Sequence, residues 1–304
     1  MALQGSSGEG VFAAVATPLD AAGRVNVPLL ARHSLDLIRR GLHGITLFGT
    51  TGEGPSFTVD ERRAALDALL EAGVANHQVI VATGAAALGD AIELTRHALA
   101  RGCNRVLLLP PFFFKDVSSA GVADAVGAVV EAQDDPRLRI ILYHIPQVSG
   151  IAIDHGAIAT LRERYGAVVE GIKDSSGNLE HSLGLIERHR GLKVYVGAEN
   201  TIARTRAAGG AGTICGLANV VPNTILASFA GESGKSGESR EIVDTLLASV
   251  GSQPFTPWLK ALLAVRQCDD SWRRVRRPLV EAGPDALKAL PPALRDACPD
   301  LAAN

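Results

Sequence analysis

Short apolar, β-branched runs recur along the chain and alternate with longer segments of helical periodicity. The apolar runs fall at residues 11–17, 44–49, 78–83, 105–110, 139–145, 168–173, 193–198 and 212–217. Segments with helical spacing follow them, as in VDERRAALDALLEAG at 59–73. This alternation predicts eight strand–helix units, the number that closes a parallel barrel.

The character of the runs favours a barrel over the other common parallel architecture. They are nearly continuous in apolar residues, which is typical of strands that are buried on both faces. An open doubly wound sheet is the alternative, but its first strand usually precedes a glycine-rich phosphate turn, and VATPLDAAG at 15–23 is not one. We therefore expect a (β/α)8 TIM barrel over residues 1–236 and a helical C-terminal region over 237–304.

Composition and charge narrow the range of partners. A chain of 304 residues that is 47% hydrophobic and 20% charged can bury a large core. A formal net charge of -2 provides no electrostatic footprint for nucleic acid or an anionic membrane. The one basic cluster, WRRVRR at 272–277, is interpreted as a solvated helix face or a subunit contact. We predict a small-molecule substrate.

Location and cofactors follow from what the sequence lacks. MALQGSSGEG at the start has neither the charged nor the apolar region of a secretory signal. No apolar run approaches the length that spans a bilayer, so we expect a cytoplasmic protein. The cysteines form no CxxC pair and the histidines no HExxH motif, so the sequence predicts no metal and no cofactor.

Three reactive stretches fall at predicted carboxyl ends of strands, where barrel enzymes assemble their active sites. GTTGEG at 49–54 follows the second strand, and its backbone N–H groups and the hydroxyls of Thr50 and Thr51 suit a carboxylate. LYHIP at 142–146 places Tyr143 at the end of the fifth strand, and GIKDSSGN at 171–178 places Lys173 at the end of the sixth.

Each stretch also has an ordinary structural interpretation: a snorkelling lysine, a core tyrosine, a capped turn. Their shared position at one rim favours chemistry instead. A lysine among apolar neighbours is available as an amine that attacks a carbonyl, and the resulting iminium stabilises the enamine beside a 2-oxo acid. Tyr143, hydrogen-bonded to Thr50, would move the protons.

The motifs resemble those of a known family. ATPLD, GTTGEGPSFTVDER, LYHIPQVSG, GIKDSSGN and GAGTICGLANV occur in the order and spacing of the dihydrodipicolinate synthase/N-acetylneuraminate lyase family. The resemblance covers nearly the whole chain. It implies a (β/α)8 barrel with C-terminal helices, commonly a homotetramer, that forms a Schiff base with pyruvate or a related 2-oxo acid.

The resemblance also implies individual roles. Lys173 would form the Schiff base, and Tyr143 would shuttle protons. Thr50 would relay the proton and contact the carboxylate, and Thr51 would make the second carboxylate contact. Two further positions line the pocket floor in this family, and they match Gly197 and, through its carbonyl, Ile214.

Two departures argue against the synthase of this family. That enzyme carries an arginine two residues after the proline of its YxxP motif, where it grips the carboxylate of the aldehyde substrate, and here the position is Val148. An aliphatic side chain cannot pair with a carboxylate. The synthase also uses a tyrosine lent by a neighbouring subunit, and PPFFFK at 110–115 has Phe113 there. Lys115 is the residue that would compensate, although a solvated loop lysine is the simpler interpretation.

IPQVSG and VGAEN look more like the sialic-acid and sugar-acid lyases, in which polar groups near Glu199 and Asn200 would face a hydroxylated chain. Glu199 is alternatively a carboxylate at a helix N-terminus. The leading hypothesis is an aldolase-type lyase acting on a 2-keto-3-deoxy sugar acid or a similar hydroxylated 2-oxo acid. The alternatives are dihydrodipicolinate synthase, a Schiff-base dehydratase or deaminase, and a non-enzymatic 2-oxo-acid sensor.

Overall fold

The strands close into a barrel in sequence order, and each pairs in parallel with its neighbours. A computed structural model describes residues 8–231, 236–283, 285–288 and 290–291. Its strands are β1 (Gly10–Ala14), β2 (Gly44–Leu47), β3 (Val79–Ala82), β4 (Arg105–Leu108), β5 (Arg139–His144), β6 (Val169–Asp174), β7 (Lys193–Val196) and β8 (Gly212–Cys215). The predicted (β/α)8 barrel is confirmed.

Helices link successive strands around the barrel. They are α1 (Val27–Arg39), α2 (Val59–Glu71), α3 (Leu88–Ala100), α4 (Ser119–Gln133), α5 (Pro146–Ser149), α6 (His155–Tyr165), α7 (Leu179–Arg188), α8 (Ile202–Ala207) and α9 (Pro222–Ala230). Helix α2 shows how the local sequence sets such an element. Thr58 and Glu61 form a reciprocal capping box at its start, and Leu66 and Leu69 bury its inner face.

Two apolar layers explain the continuous hydrophobic runs. Side chains that point into the barrel, among them Phe12, Ile80, Leu107 and Ile141, form one cluster. The alternate side chains of the same strands pack outward in a larger cluster with the helices. Each strand is therefore buried on both faces, which removes the polar alternation that a half-exposed strand would show.

Several strands end earlier than the sequence predicts. The first apolar run extends to residue 17, but β1 ends at Ala14. Val15, Ala16 and Thr17 continue as loop, yet each is completely buried. The buried segment is thus longer than the strand and continues into the loop at the barrel mouth. An apolar run in the sequence therefore indicates burial and does not mark where strand pairing ends.

Two helices follow the barrel, namely α10 (Ser236–Val250) and α11 (Phe255–Gln267), and then a short 3-10 turn, Asp270–Arg273. These helices confirm the predicted C-terminal helical extension, although the structure shows no helix over 274–283, 285–288 and 290–291. Residues 292–304 of that predicted region lie outside the described residues. The boundary at residue 236 stays a prediction. None of the described helices is long and apolar enough to cross a membrane.

The interpretation of WRRVRR as a solvated helix face is wrong, whereas the alternative of a subunit contact stays a prediction. Trp272 is completely buried, and the chain is not helical beyond Arg273. The backbone N–H of Arg276 donates to Glu53 at 2.6 Å, and its guanidinium pairs with Glu61. The basic run therefore packs against the barrel mouth, because its polar groups find partners on the loop after β2 and on α2.

Candidate active site

Tyr143 and Lys173 lie side by side on adjacent strands. The register of β5 and β6 pairs the two residues directly. The Lys173 Nζ lies 3.4 Å from the Tyr143 hydroxyl and 4.4 Å from the centroid of its ring. Each residue is only 4% exposed. The structure thus brings the two predicted catalytic side chains into contact in a buried position near the carboxyl ends of their strands.

Thr50 extends this contact toward solvent. Its Oγ1 lies 3.1 Å from the Tyr143 hydroxyl, and either atom can be the donor. A phenol hydroxyl donates one hydrogen bond and accepts others, so Tyr143 can link the amine to the Thr50 hydroxyl. Because Thr50 is exposed, the three groups form a hydrogen-bonded path from a buried amine to the solvent side of the mouth.

The turn that carries Thr50 is held in an unusual backbone conformation. Phe48 and Glu53 have φ angles of 59° and 56°, in the left-handed region that non-glycine residues seldom adopt. The Glu53 carboxylate accepts from the Lys260 ammonium at 2.5 Å, and the Glu53 N–H donates to the Thr50 carbonyl at 3.0 Å. Helix α11 therefore holds the turn that carries Thr50 in place through a buried ion pair.

The sequence analysis assigned no function to Glu53 or Lys260. The available signal was a single glutamate in a turn of otherwise small residues, GTTGEG, and it does not identify a partner. The partner lies 207 positions away in the chain. Only the folded structure shows that the C-terminal region supports the turn that carries Thr50.

Of the remaining predicted pocket residues, Gly197 lies beside Lys173. A Cβ on Gly197 would lie 2.1 Å from Ser175 Oγ and 3.3 Å from Lys173 Cε, so only glycine leaves room there. Ile214 is completely buried on β8, with its side chain in the interior cluster. Thr51 is half-buried, and its hydroxyl lies near Gly216, 3.5 Å from where a Cβ would be.

Glu199 braces the loop after β8. Its Oε1 accepts a hydrogen bond from the Leu217 N–H at 2.9 Å, and the residue is 6% exposed. Burial raises the pKa of Glu199, although the Leu217 N–H and the nearby Lys173 oppose this shift. Asn200 is exposed. Substrate contact by Glu199 stays a prediction.

The mouth of the barrel carries an apolar side chain where the synthase has arginine. Val148 is 62% exposed on the short helix α5. Lys115 lies exposed in a loop, as its simpler interpretation predicts, and its ammonium donates to the Ser149 carbonyl at 2.7 Å and also to the Phe112 carbonyl. Phe113 is 74% exposed and makes an edge-to-face contact with an equally exposed neighbouring phenylalanine.

One cluster of potential metal ligands lies on the outer side of the same strands. Among the described residues, His144, Asp174 and His181 are the group whose ligand atoms all lie within 4.8 Å of one another. His144 accepts from the Ile153 N–H at 3.1 Å, and Asp174 accepts from His181 at 2.9 Å and Ser182 at 2.7 Å. Burial raises the pKa of Asp174, but hydrogen bonds from His181, Ser182 and Ser176 together outweigh burial and lower the pKa to about 2. The cluster thus ties β6 to α7.

The comparison with protein families decides the class. The model of the dihydrodipicolinate synthetase family matches residues 7–297. The chain belongs to this family. A DapA-like lyase of Chloroflexus aurantiacus, described as uncharacterized, is 38% identical over 72% of this chain and 73% of that protein. Members of the dihydrodipicolinate synthetase family are lyases that act through a Schiff base, and this chain is such an enzyme.

Solved structures of the dihydrodipicolinate synthetase family match the fold. The crystal structure of dihydrodipicolinate synthase from Agrobacterium tumefaciens is 30% identical, has a TM-score of 0.88, and covers 95% of this chain and 99% of its own. A variant of 2-keto-3-deoxygluconate aldolase from Sulfolobus solfataricus is 21% identical, with a TM-score of 0.81 over 95% of this chain and 94% of its own, and is similar in fold.

Proposed function

We propose that the enzyme is a class I aldolase-type lyase that cleaves or forms a carbon–carbon bond in a hydroxylated 2-oxo acid, with pyruvate as product or donor. A 2-keto-3-deoxy sugar acid is the favoured substrate. The contact of the buried Lys173 amine with the Tyr143 hydroxyl at 3.4 Å carries this proposal. The amine supplies the nucleophile, and the hydroxyl supplies the proton transfers that Schiff-base chemistry requires.

In the cleavage direction, the Lys173 Nζ adds to the C2 carbonyl of the substrate, and loss of water leaves an iminium. Tyr143 takes the proton of the C4 hydroxyl while it passes its own proton to Thr50, whose hydroxyl releases its proton to the solvent. The C3–C4 bond breaks, its electron pair moves toward the iminium to give an enamine, and the aldehyde departs. Protonation of the enamine at C3 and hydrolysis release pyruvate and restore the amine. The hydroxyls and N–H groups of the Thr50–Thr51 turn hold the substrate carboxylate.

The preference for a hydroxylated substrate follows from the side chain of Val148 at the barrel mouth. Val148 offers no charge to a second carboxylate, whereas it tolerates a neutral hydroxylated chain. Dihydrodipicolinate synthase activity is the second candidate, because the chain resembles the Agrobacterium tumefaciens synthase along nearly its whole length. Lys115 also favours it, since its ammonium lies beside α5.

Borohydride trapping tests the mechanism. Reduction in the presence of pyruvate should fix a pyruvyl group on Lys173 and abolish activity, and peptide mass spectrometry should locate the adduct. Lys173→Met should form no adduct, whereas Lys260→Met, which removes a buried lysine on α11, should still form one. A wild-type adduct on another residue, or none, would contradict the proposal.

A substrate panel separates the two candidates. We expect pyruvate release from 2-keto-3-deoxy sugar acids and poor condensation of pyruvate with aspartate semialdehyde. A missing charge-assisted hydrogen bond costs about 1.5–3 kcal/mol, or roughly ten- to a hundredfold in binding, so Val148→Arg should improve use of the semialdehyde. Efficient turnover of the semialdehyde by the wild type would favour the synthase. Loss of water from a sugar acid without pyruvate release would identify a dehydratase.

The proposed assembly is a homo-oligomer, most simply a tetramer. Phe113 and Phe114 are 74% and 76% exposed. Two neighbouring aromatic side chains that are exposed to water form an apolar patch, and such patches are typical of surfaces that bind another protein chain. Light scattering of the purified enzyme should report a multimer, and replacing both residues by serine should weaken it. A monomeric wild type would contradict this assignment.

A further inference from the structure

A basic cavity lies on the flank of the barrel between α1 and α11, away from the Lys173 site. Its volume is about 450 Å³. Of the described residues that line it, one carries a carboxylate, Asp36, and four are arginines: Arg32, Arg39, Arg40 and Arg266. Among the described lining residues, arginines thus outnumber carboxylates around a space large enough for a small metabolite.

Some of the cavity arginines are bound to other groups of the protein. Asp36 lies 2.8 Å from Arg40 Nε and 3.8 Å from Arg39 Nη2. Arg266 is 8% exposed, and its guanidinium donates to the Asn219 carbonyl at 3.0 Å. Among the described residues, the carboxylates within 4.0 Å of these arginines are Asp36 and Asp269, and their contacts with Arg39 and Arg32 are longer than the contact of Asp36 with Arg40.

The rim can adapt to a ligand. The side chains of Arg32 and Arg39 are 65% and 71% exposed. Their nearest carboxylate contacts are long, at 4.0 Å to Asp269 and 3.8 Å to Asp36. Such loosely held guanidinium groups can turn toward an anion at little cost, and their planar forks match the oxygens of phosphate.

We propose that this cavity binds a phosphate-bearing small molecule. Several convergent guanidinium groups favour a phosphate over a monocarboxylate, because a phosphate brings up to two negative charges and more acceptor oxygens. The volume exceeds that of the phosphate group itself, so an organic body fits beside it. The ligand is thus distinct from the 2-oxo acid at the barrel mouth.

A chain of hydrogen bonds connects the cavity to the barrel mouth. Gln267 lies 3.0 Å from His33 Nδ1, and His33 Nε2 lies 3.0 Å from Asn219 Oδ1. The Asn219 amide donates to the carbonyls of Ala14 and Gly216, both at 2.8 Å. Residues 14 and 216 lie at the ends of β1 and β8, so a ligand held by Arg266 and its neighbours acts directly on the loops of the catalytic rim.

Calorimetric titration with inorganic pyrophosphate, at constant ionic strength, tests the site on the full-length enzyme. Arg32→Gln/Arg39→Gln should weaken binding by about tenfold or more, since each lost charge-assisted bond is worth roughly that factor. The matched control, Arg24→Gln/Arg240→Gln, removes two arginines of similar exposure that pair with aspartates elsewhere, and should change affinity less than about twofold.

Three results would overturn the proposal: no heat of binding in the wild type, an equal loss in the control variant, or acetate binding as tightly as pyrophosphate. The connection to the rim has its own readout, which does not depend on the enzyme's reaction. Amide hydrogen exchange over residues 14–17 and 216–221 should slow at least about twofold when pyrophosphate binds. Tight binding with unchanged exchange would show that the cavity does not act on the mouth.

Discussion

Two buried lysines near the barrel mouth have opposite surroundings. Lys260 on α11 is completely buried, and its ammonium contacts the Glu53 carboxylate and the Arg274 carbonyl, both at 2.5 Å. Lys173 on β6 is 4% exposed and contacts the hydroxyl and ring of Tyr143. Within the part of the chain that the structure describes, no carboxylate lies within 4 Å of the Lys173 amine.

This difference suits the two lysines to different functions: a structural ammonium for Lys260 and the proposed nucleophilic amine for Lys173. Burial lowers the pKa of Lys260, while the Glu53 carboxylate opposes that shift and stabilises the charged form. A hydroxyl partner requires no charge on the lysine, since it can donate to a neutral amine as readily as it accepts from an ammonium. The carboxylate partner of Lys260 thus favours a charged lysine that supports the turn of Thr50. The phenol partner of Lys173 is compatible with a neutral amine, which is the form that attacks a carbonyl.

Removal of the reactive amine should have the largest effect. Lys173→Met should lower turnover by roughly 10⁴-fold or more, because no other group replaces a covalent nucleophile. The thermal midpoint should change little, since methionine fills a similar volume in an apolar setting. Steady-state kinetics and thermal unfolding check both statements. Activity within tenfold of the wild type would mean that Lys173 is another structural lysine.

Removal of the Tyr143 hydroxyl, the partner of the Lys173 amine, should have the second largest effect. Tyr143→Phe keeps the ring against the Lys173 amine and deletes only the proton path to Thr50. Turnover should fall by roughly 10²- to 10⁴-fold with little change in KM, because general acid–base transfer contributes about that much. Comparison of kcat and KM for the two proteins tests this. Unchanged turnover would assign the proton transfer to another group or to water.

Removal of the structural ammonium should show in stability. Lys260→Met leaves Glu53 buried without its counter-charge, which typically costs about 3–5 kcal/mol. The double variant Glu53→Gln/Lys260→Met should recover part of that loss. As a control, Lys288→Met removes an exposed lysine paired with Asp285, and should cost less than about 1 kcal/mol.

Urea unfolding measures all three variants. A double variant as unstable as Lys260→Met would show that lost packing, and not an uncompensated carboxylate, causes the instability. The structural function of the pair also predicts that Lys260→Met retains the pyruvyl adduct on Lys173. Loss of that adduct in a folded variant would erase the distinction between the two lysines.

A third buried basic side chain, His33, extends the comparison, because its hydrogen-bond partners are the amides of Asn219 and Gln267 and not carboxylates. Burial lowers its pKa from 6.5 to about 4. The unfolded chain therefore takes up this proton at a higher pH than the folded protein. The stability that neutral His33 contributes above pH 6.5 is lost as the pH falls toward 4, by up to about 3 kcal/mol.

His33→Asn should remove this part of the acid sensitivity. The difference in unfolding free energy between pH 7.5 and pH 4.5 should be smaller in the variant than in the wild type. His77→Asn, which changes an exposed histidine, serves as the control. Equal acid sensitivity in His33→Asn and the wild type would indicate that His33 accepts a proton without disturbing the Gln267–Asn219 network.

Local patterns predicted the barrel well and the C-terminal segment poorly. A buried parallel strand leaves an uninterrupted apolar run, and its helix leaves a spaced one, so the strand–helix alternation is legible in the sequence. Residues 274–277 leave no such trace, because their polar backbone and side chains are satisfied by distant groups such as Glu53 and Leu19. A basic run then looks like a solvated helix although it packs against the mouth.

The sequence by itself determined the number and order of the strands, and it placed Tyr143 and Lys173 near strand ends, because hydrophobic periodicity is a local property of the chain. The tertiary structure alone decided which lysine meets a phenol and which meets a carboxylate. Lys173 and Tyr143 are 30 positions apart, and Lys260 and Glu53 are 207 apart. Contacts at such separations arise only when the barrel closes and α11 packs over its mouth, so no local pattern records them.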